Sequence, residues 1–194
     1  VLEQKKKMYS EVDITMIKQA VIYEDNDILV INKPAGLPVQ GGSGQNDRHV
    51  DALIDVFREE NMEKPRLVHR LDKDTSGILI LAKNRKMAEF LTKSFRSKTV
   101  RKIYWALVAG TPEKEIGTIR LSLNKTKLRS GFEKMIPILP DEEINYPNAK
   151  RAITDYVVIE KVSQRAAWLG LSPITGRTHQ LRSHLVAIGC PIVG

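Results

Sequence analysis

The residues best placed to do chemistry fall in short polar stretches set against apolar runs. The first stretch is Leu67-Val68-His69-Arg70-Leu71-Asp72-Lys73-Asp74-Thr75-Ser76-Gly77, which leads straight into Ile78 to Ala82. A carboxylate at the edge of a buried strand is partly desolvated yet open to a substrate, so Asp72 can serve as a nucleophile or general base. The same residue types build Asx-turns and caps, and the loop taken alone reads first as a turn. Asp74 can pair with Asp72 as in glycoside hydrolysis, but that chemistry needs the carboxyls roughly 5–9.5 Å apart. Their spacing along the chain does not establish this, and Asp74, Thr75 and Ser76 read as turn-formers. His69 reads as a packed or hydrogen-bonded histidine.

The second stretch is Pro173-Ile174-Thr175-Gly176-Arg177-Thr178-His179-Gln180-Leu181-Arg182, at the start of a helix predicted over Gly176 to Ile188. Free backbone N–H groups and the helix dipole favour an anion there, and Arg177 and Thr178 can add charge-assisted contacts to a phosphate. An ordinary surface arginine is the alternative for Arg177. If Leu181 and Leu185 face the core, Arg182 projects close to buried surface and needs a carboxylate partner, for which Asp72 is the candidate. His179 and His184 lie roughly 140° apart around a helix and do not easily share a metal. With one cysteine and no HExxH pattern, no metal site is expected. In Arg101-Lys102-Ile103-Tyr104-Trp105-Ala106-Leu107-Val108, strand alternation puts Tyr104 on one face and Ile103, Trp105 and Leu107 on the other. Tyr104 can stack on a nucleobase, worth about 1–3 kcal/mol, or lie buried. Gly41-Gly42-Ser43-Gly44 lacks the Lys-Ser/Thr ending of a P-loop, and Gln45 spoils a nucleophile elbow.

The elements that must position these residues are short. Val21 to Tyr23 and Ile28 to Asn32 read as paired strands around a turn at Glu24-Asp25-Asn26-Asp27, followed by a long loop from Lys33 to Asp47. Val50 to Asn61 and Asn84 to Lys98 carry apolar residues at helical spacing. Gly77 to Ala82 and Thr99 to Ala109 read as strands, as do Gly117 to Leu123, Ile153 to Val162 and Ala166 to Leu171. Leu139 to Ala149 reads as an exposed loop. The order predicts an α+β fold with a mixed, mostly antiparallel central sheet flanked by helices and loops.

The 194 residues carry 31 Lys+Arg against 23 Asp+Glu, a net charge of +8, which raises the odds of a polyanionic partner. With 42% hydrophobic residues the chain can bury a core. Apolar stretches such as Ile78 to Ala82 are far below the roughly 20 residues that cross a bilayer, so no membrane span is expected. Cys190 is the one cysteine, which excludes an internal disulfide framework and fits a reducing, cytoplasmic setting. The run Lys5-Lys6-Lys7 reads as a solvated linker or, in the other reading, an RNA-contacting arm.

Four ordered motifs together resemble the RluA-type pseudouridine synthases: Ile31-Asn32-Lys33-Pro34-Ala35-Gly36-Leu37, His69-Arg70-Leu71-Asp72 with Thr75-Ser76-Gly77, Lys102 to Gly110, and Gly176 to Arg182. The Gly41 to Gly44 loop is similar to the RluC branch, which modifies large-subunit ribosomal RNA, although Gln40 stands where that branch often has His. The resemblance implies the pseudouridine synthase fold, with Asp72 as catalytic carboxylate, Tyr104 against the target uracil and Arg182 ion-paired with Asp72. It implies that Arg70 helps hold the flipped nucleotide and that no cofactor is needed; Arg177, Thr178 and His179 are the further candidates for RNA contact. Residues 1–19 then read as a linker or arm after an S4-like module outside this chain. Residues 20–194 read as the catalytic domain, cut short at its C-terminal end and acting as a monomer. A catalytically silent RNA-binding module of the same fold is the alternative. A glycoside hydrolase fits less well, since 6% aromatic residues leave few sugar platforms.

Overall fold

The computed structural model describes residues 10–41, 48–58, 60, 63–97, 99–127 and 133–194. The lysine run Lys5 to Lys7, the glycine-rich Gly42-Ser43-Gly44, Asn61 and Lys98 lie outside them. The chain divides into two compact units, Val1–Val100 and Arg101–Gly194.

In the first unit the segment expected as a linker or arm holds helix α1 (Glu11–Gln19). Ser10 caps it by accepting the Asp13 N–H at 3.1 Å, and Ile17 is fully buried, so this part of the segment is anchored by packing. Strands β1 (Val21–Glu24) and β2 (Ile28–Lys33) form the expected hairpin. Its turn is fixed by the Asp25 carboxylate, which accepts the N–H groups of Asp27 and Ile28, both at 2.8 Å. Those N–H donors hold the Asp25 carboxyl below the usual carboxylate range. The helix expected from Val50 to Asn61 is shorter. It consists of α2 (Val50–Leu53) and a 3-10 turn at Ile54–Phe57, because Arg58 turns to extended backbone with ψ 114°. Strand β3 (Arg66–Leu67) is brief, and β4 (Gly77–Ala82) lies between it and β2 in an antiparallel sheet of order β1-β2-β4-β3. Helix α3 (Arg85–Arg96) follows, with the Asn84 side chain accepting the Met87 N–H at 2.9 Å. Leu29, Ile31, Leu79 and Leu81 of the sheet and Val50, Leu53 and Ile54 are buried.

The second unit is a five-stranded antiparallel sheet of order β5-β9-β8-β6-β7. Its strands are β5 (Tyr104–Ala109), β6 (Ile116–Lys127), β7 (Glu133–Ile138), β8 (Lys150–Val162) and β9 (Ala166–Pro173). Helix α4 (Gln180–Ala187) sets Leu185 against Ala106, Val108, Ile119, Ala167, Leu169 and Leu171, with Cys190 completing the cluster. The strand predicted from Thr99 begins only at Tyr104, where pairing with Leu171 of β9 starts. Strand β7 escapes the sequence reading because of Pro137, which is tolerated on an edge strand. The predicted Leu139 to Ala149 loop is exposed over most of its length and contains a 3-10 turn, Pro140–Asn145. The α+β class holds, with the strands arranged as two sheets, one in each unit. Among the described residues no helix is long and apolar enough to cross a membrane.

Candidate active site

Asp72 sits on the connection from β3 to β4. The preceding Leu71 is buried, and the Thr75 N–H donates to the Asp72 carbonyl at 3.1 Å, closing a turn over Asp72-Lys73-Asp74-Thr75. Gly77 then enters β4 at φ +120°, a conformation that L side chains rarely adopt. Asp72 is half-buried, while Arg70, Lys73 and Asp74 are exposed. Asp74 therefore occupies the turn position expected of it. His69 behaves as the packing reading predicts: its Nε2 accepts the Ile80 N–H at 2.9 Å, and its ring stacks on Phe95 with centroids 4.3 Å apart. An acceptor at Nε2 leaves the proton of the neutral ring on Nδ1.

Lys33 gives this turn its support, and the sequence reading assigned it no role. Its side chain is fully buried, and its ammonium donates to the carbonyls of Pro34 at 2.8 Å, Leu37 at 2.8 Å and Lys73 at 3.0 Å. Three donors thus meet three acceptors, one of them inside the Asp72 turn. The Gly36 N–H joins the same Lys73 carbonyl at 2.9 Å. Burial pushes the Lys33 ammonium below the usual lysine value, opposed by the negative charges of Asp74 and Asp72. The signal in the sequence is strand alternation: Leu29, Ile31 and Lys33 share the buried face of β2.

The remaining candidates belong to the second unit. Tyr104 opens β5 on the face it shares with buried Ala106 and Val108, and is itself half-buried. Trp105 and Leu107 point the other way and are 70% and 51% exposed, as the alternation predicts. Helix α4 begins at Gln180, four residues later than expected, so Arg177, Thr178 and His179 form the connection before it. All three are exposed, and His179 has φ 50°. The break falls at His179, whose backbone is left-handed (φ 50°, ψ 24°) immediately before the helix. The Gln180 side chain ties the connection to the start of the helix: its Oε1 accepts the Arg177 N–H at 3.0 Å and the Thr175 hydroxyl at 2.7 Å. Arg182 is half-buried, whereas Gln180, Ser183, His184 and Leu185 form the buried stripe of α4. The structure therefore groups Asp72 with Arg70 in one unit, and Tyr104, Arg177, Thr178, His179 and Arg182 in the other. Among the described residues no three His, Cys, Asp or Glu side chains converge on a metal position.

The first unit offers a carboxylate on a turn tied to a buried ammonium, and the second, taken by itself, an exposed basic connection suited to phosphate. The model of the RNA pseudouridylate synthase family matches residues 27–187, a span that includes Asp72, Tyr104 and Arg182. The chain is 39% identical over 193 residues to the ribosomal large subunit pseudouridine synthase C of Rickettsia bellii, covering 97% of this chain and 61% of that protein. It is also 39% identical over 189 residues to the mitochondrial RNA pseudouridine synthase 4 of Arabidopsis thaliana, covering 90% of this chain and 39% of that protein. The chain thus spans less than two thirds of the length of these relatives. The solved structure of human RNA pseudouridylate synthase domain containing 4 is similar with a TM-score of 0.75 and 31% identity, over 94% of this chain and 70% of that one. With the family match covering most of its length, the chain belongs to the RNA pseudouridylate synthase family.

Proposed function

We propose that this chain isomerises uridine to pseudouridine in RNA, with large-subunit ribosomal RNA as the substrate. The observation that carries the reading is the family match across residues 27–187, within which Asp72 lies on a turn tied to a buried cation. The choice of ribosomal RNA is supported by the name of the Rickettsia relative, while the net charge of +8 suits a polyanion of any kind. In the reaction the N1–C1′ bond breaks, the uracil turns, and a C5–C1′ bond forms. The proton lost from C5 is balanced by one gained at N1, so no redox or phosphoryl chemistry is involved and no cofactor is required. Asp72 acts as the carboxylate that starts cleavage of the glycosidic bond, and Tyr104 lies against the uracil. Arg182 orients the Asp72 carboxylate, the role implied by the resemblance. A uridine within a stem must be flipped out first, at a few kcal/mol, which favours loops and distorted stems. Arg70, Arg177, Thr178 and His179 hold the nucleotide and its backbone.

The test is tritium release from [5-³H]uridine transcripts of large-subunit ribosomal RNA and of transfer RNA, followed by mapping of the product. Release from the ribosomal transcript at defined positions is the expected result. Release from transfer RNA alone would overturn the substrate assignment, and tight binding with no release would favour a silent RNA-binding module.

A further inference from the structure

We propose that Gln180 is a positioning residue for RNA binding: its buried side-chain amide holds the connection before α4 in the conformation that presents Arg177 to a backbone phosphate. The inference rests on the RNA-modifying reading above and assigns a role to a residue that does not itself meet RNA.

Gln180 is 4% exposed, and its amide uses its full hydrogen-bonding capacity. The oxygen accepts from the Thr175 hydroxyl and the Arg177 N–H, while Nε2 donates to the Ile153 carbonyl and to Thr154 Oγ1, both at 2.9 Å. Two of these partners are backbone groups of fixed polarity, so the orientation of the amide is determined. The bonds cross-link the connection to β8 at Ile153 and Thr154. Thr175 adds a second tie, its Oγ1 accepting the Ile153 N–H at 2.9 Å. Thr154 is fully buried and continues the network to His184 Nδ1 at 3.0 Å, on the next turn of α4.

Apolar packing does little to hold this connection, because Ile174, Gly176, Arg177, Thr178 and His179 are all exposed. An exposed loop containing glycine would sample many conformations, and the polar cross-links restrict it. What is held in place is basic. The exposed Arg177 donates from Nε to the Arg151 carbonyl at 3.3 Å, and Lys102 Nζ lies 3.6 Å from where a Cβ on Gly176 would sit. Arg151 is itself exposed. A preset guanidinium among further cations suits a phosphate ester, since less side-chain freedom is lost on binding.

Equilibrium binding of the ribosomal transcript across a salt series tests this, using the 194-residue chain, Arg177→Ala, Gln180→Leu and the double variant. Each single change is expected to weaken binding about tenfold and to reduce the slope of log K against log salt by about 1. If Gln180 acts through Arg177, the double variant binds no worse than either single one. Thr175→Val should shift binding the same way and Thr175→Ser should restore it, which keeps the test open if Gln180→Leu fails to fold. Additive losses, or an unchanged salt slope in folded Gln180→Leu or Thr175→Val, would overturn the inference while leaving the RNA reading intact. Failure of the parent chain to bind RNA at any salt would overturn both.

Discussion

The turn that carries Asp72 rests on a buried cation, whereas the connection that carries Arg177 rests on a buried amide. An ammonium only donates, and Lys33 matches that with three carbonyls drawn from two loops. A primary amide both donates and accepts, and Gln180 uses this to serve an N–H, a carbonyl and two hydroxyls at once. Each support bears a cost that the other avoids. The buried charge gains strong hydrogen bonds but suffers desolvation, and the amide escapes that penalty but is sensitive to the loss of any partner. The charged groups that the two supports serve differ in sign as well, a carboxylate on the turn held by the cation and a guanidinium on the connection held by the neutral network.

The comparison can be broken by removing each support in turn. Lys33→Met should have the largest effect, about 3 kcal/mol of lost stability, because three carbonyls lose charged donors and the replacement offers none. Urea denaturation would measure it, and a loss below about 1 kcal/mol would mean that the cation contributes little net support. Thr154→Val should lose about 1–2 kcal/mol, since it removes only a neutral hydroxyl from a buried network. A loss from Thr154→Val as large as that from Lys33→Met would erase the contrast between the two supports.

Smaller effects should follow pH, with the two units responding at opposite ends of the scale. The native pKa of Lys33 lies below its ordinary 10.5, so between those two values the unfolded chain binds more protons and stability should rise with pH. Comparison with Lys33→Met across alkaline pH isolates that rise. Burial lowers the pKa of His184 below 6.5, opposed by the Leu121 backbone. No contribution is expected well above pH 6.5, and as pH falls from there toward the native value the unfolded chain takes up the proton first, so stability should be lost. Comparing acid titrations of the parent and His184→Asn would reveal this component, and identical curves would exclude it.

Local rules make much of this legible in the sequence. The hairpin turn at Asp25 and the alternation through Trp105 depend on neighbours along the chain, and both form as read. The departures depend on distant partners. Nothing near Gly176 announces that a glutamine four residues on will tie the connection down, because that bond pattern needs β8 alongside. Lys33 reads as the first residue of a loop, and only its phase with Leu29 and Ile31 hints that it points inward. The Asp72 motif is legible as a turn from its residue types, and as a site only through the resemblance. Its physical distinction, a buried ammonium on the Lys73 carbonyl, spans 40 residues of sequence.

The central claim is that Asp72 carries the chemistry and the rest of the chain presents RNA to it. The most direct measurement is single-turnover tritium release by the parent chain and Asp72→Asn on one ribosomal transcript, with the affinity of each measured in parallel. The account predicts release by the parent, none by the variant, and affinities within about threefold, since the change removes a charge without altering shape. Release by Asp72→Asn at a rate close to that of the parent would contradict it.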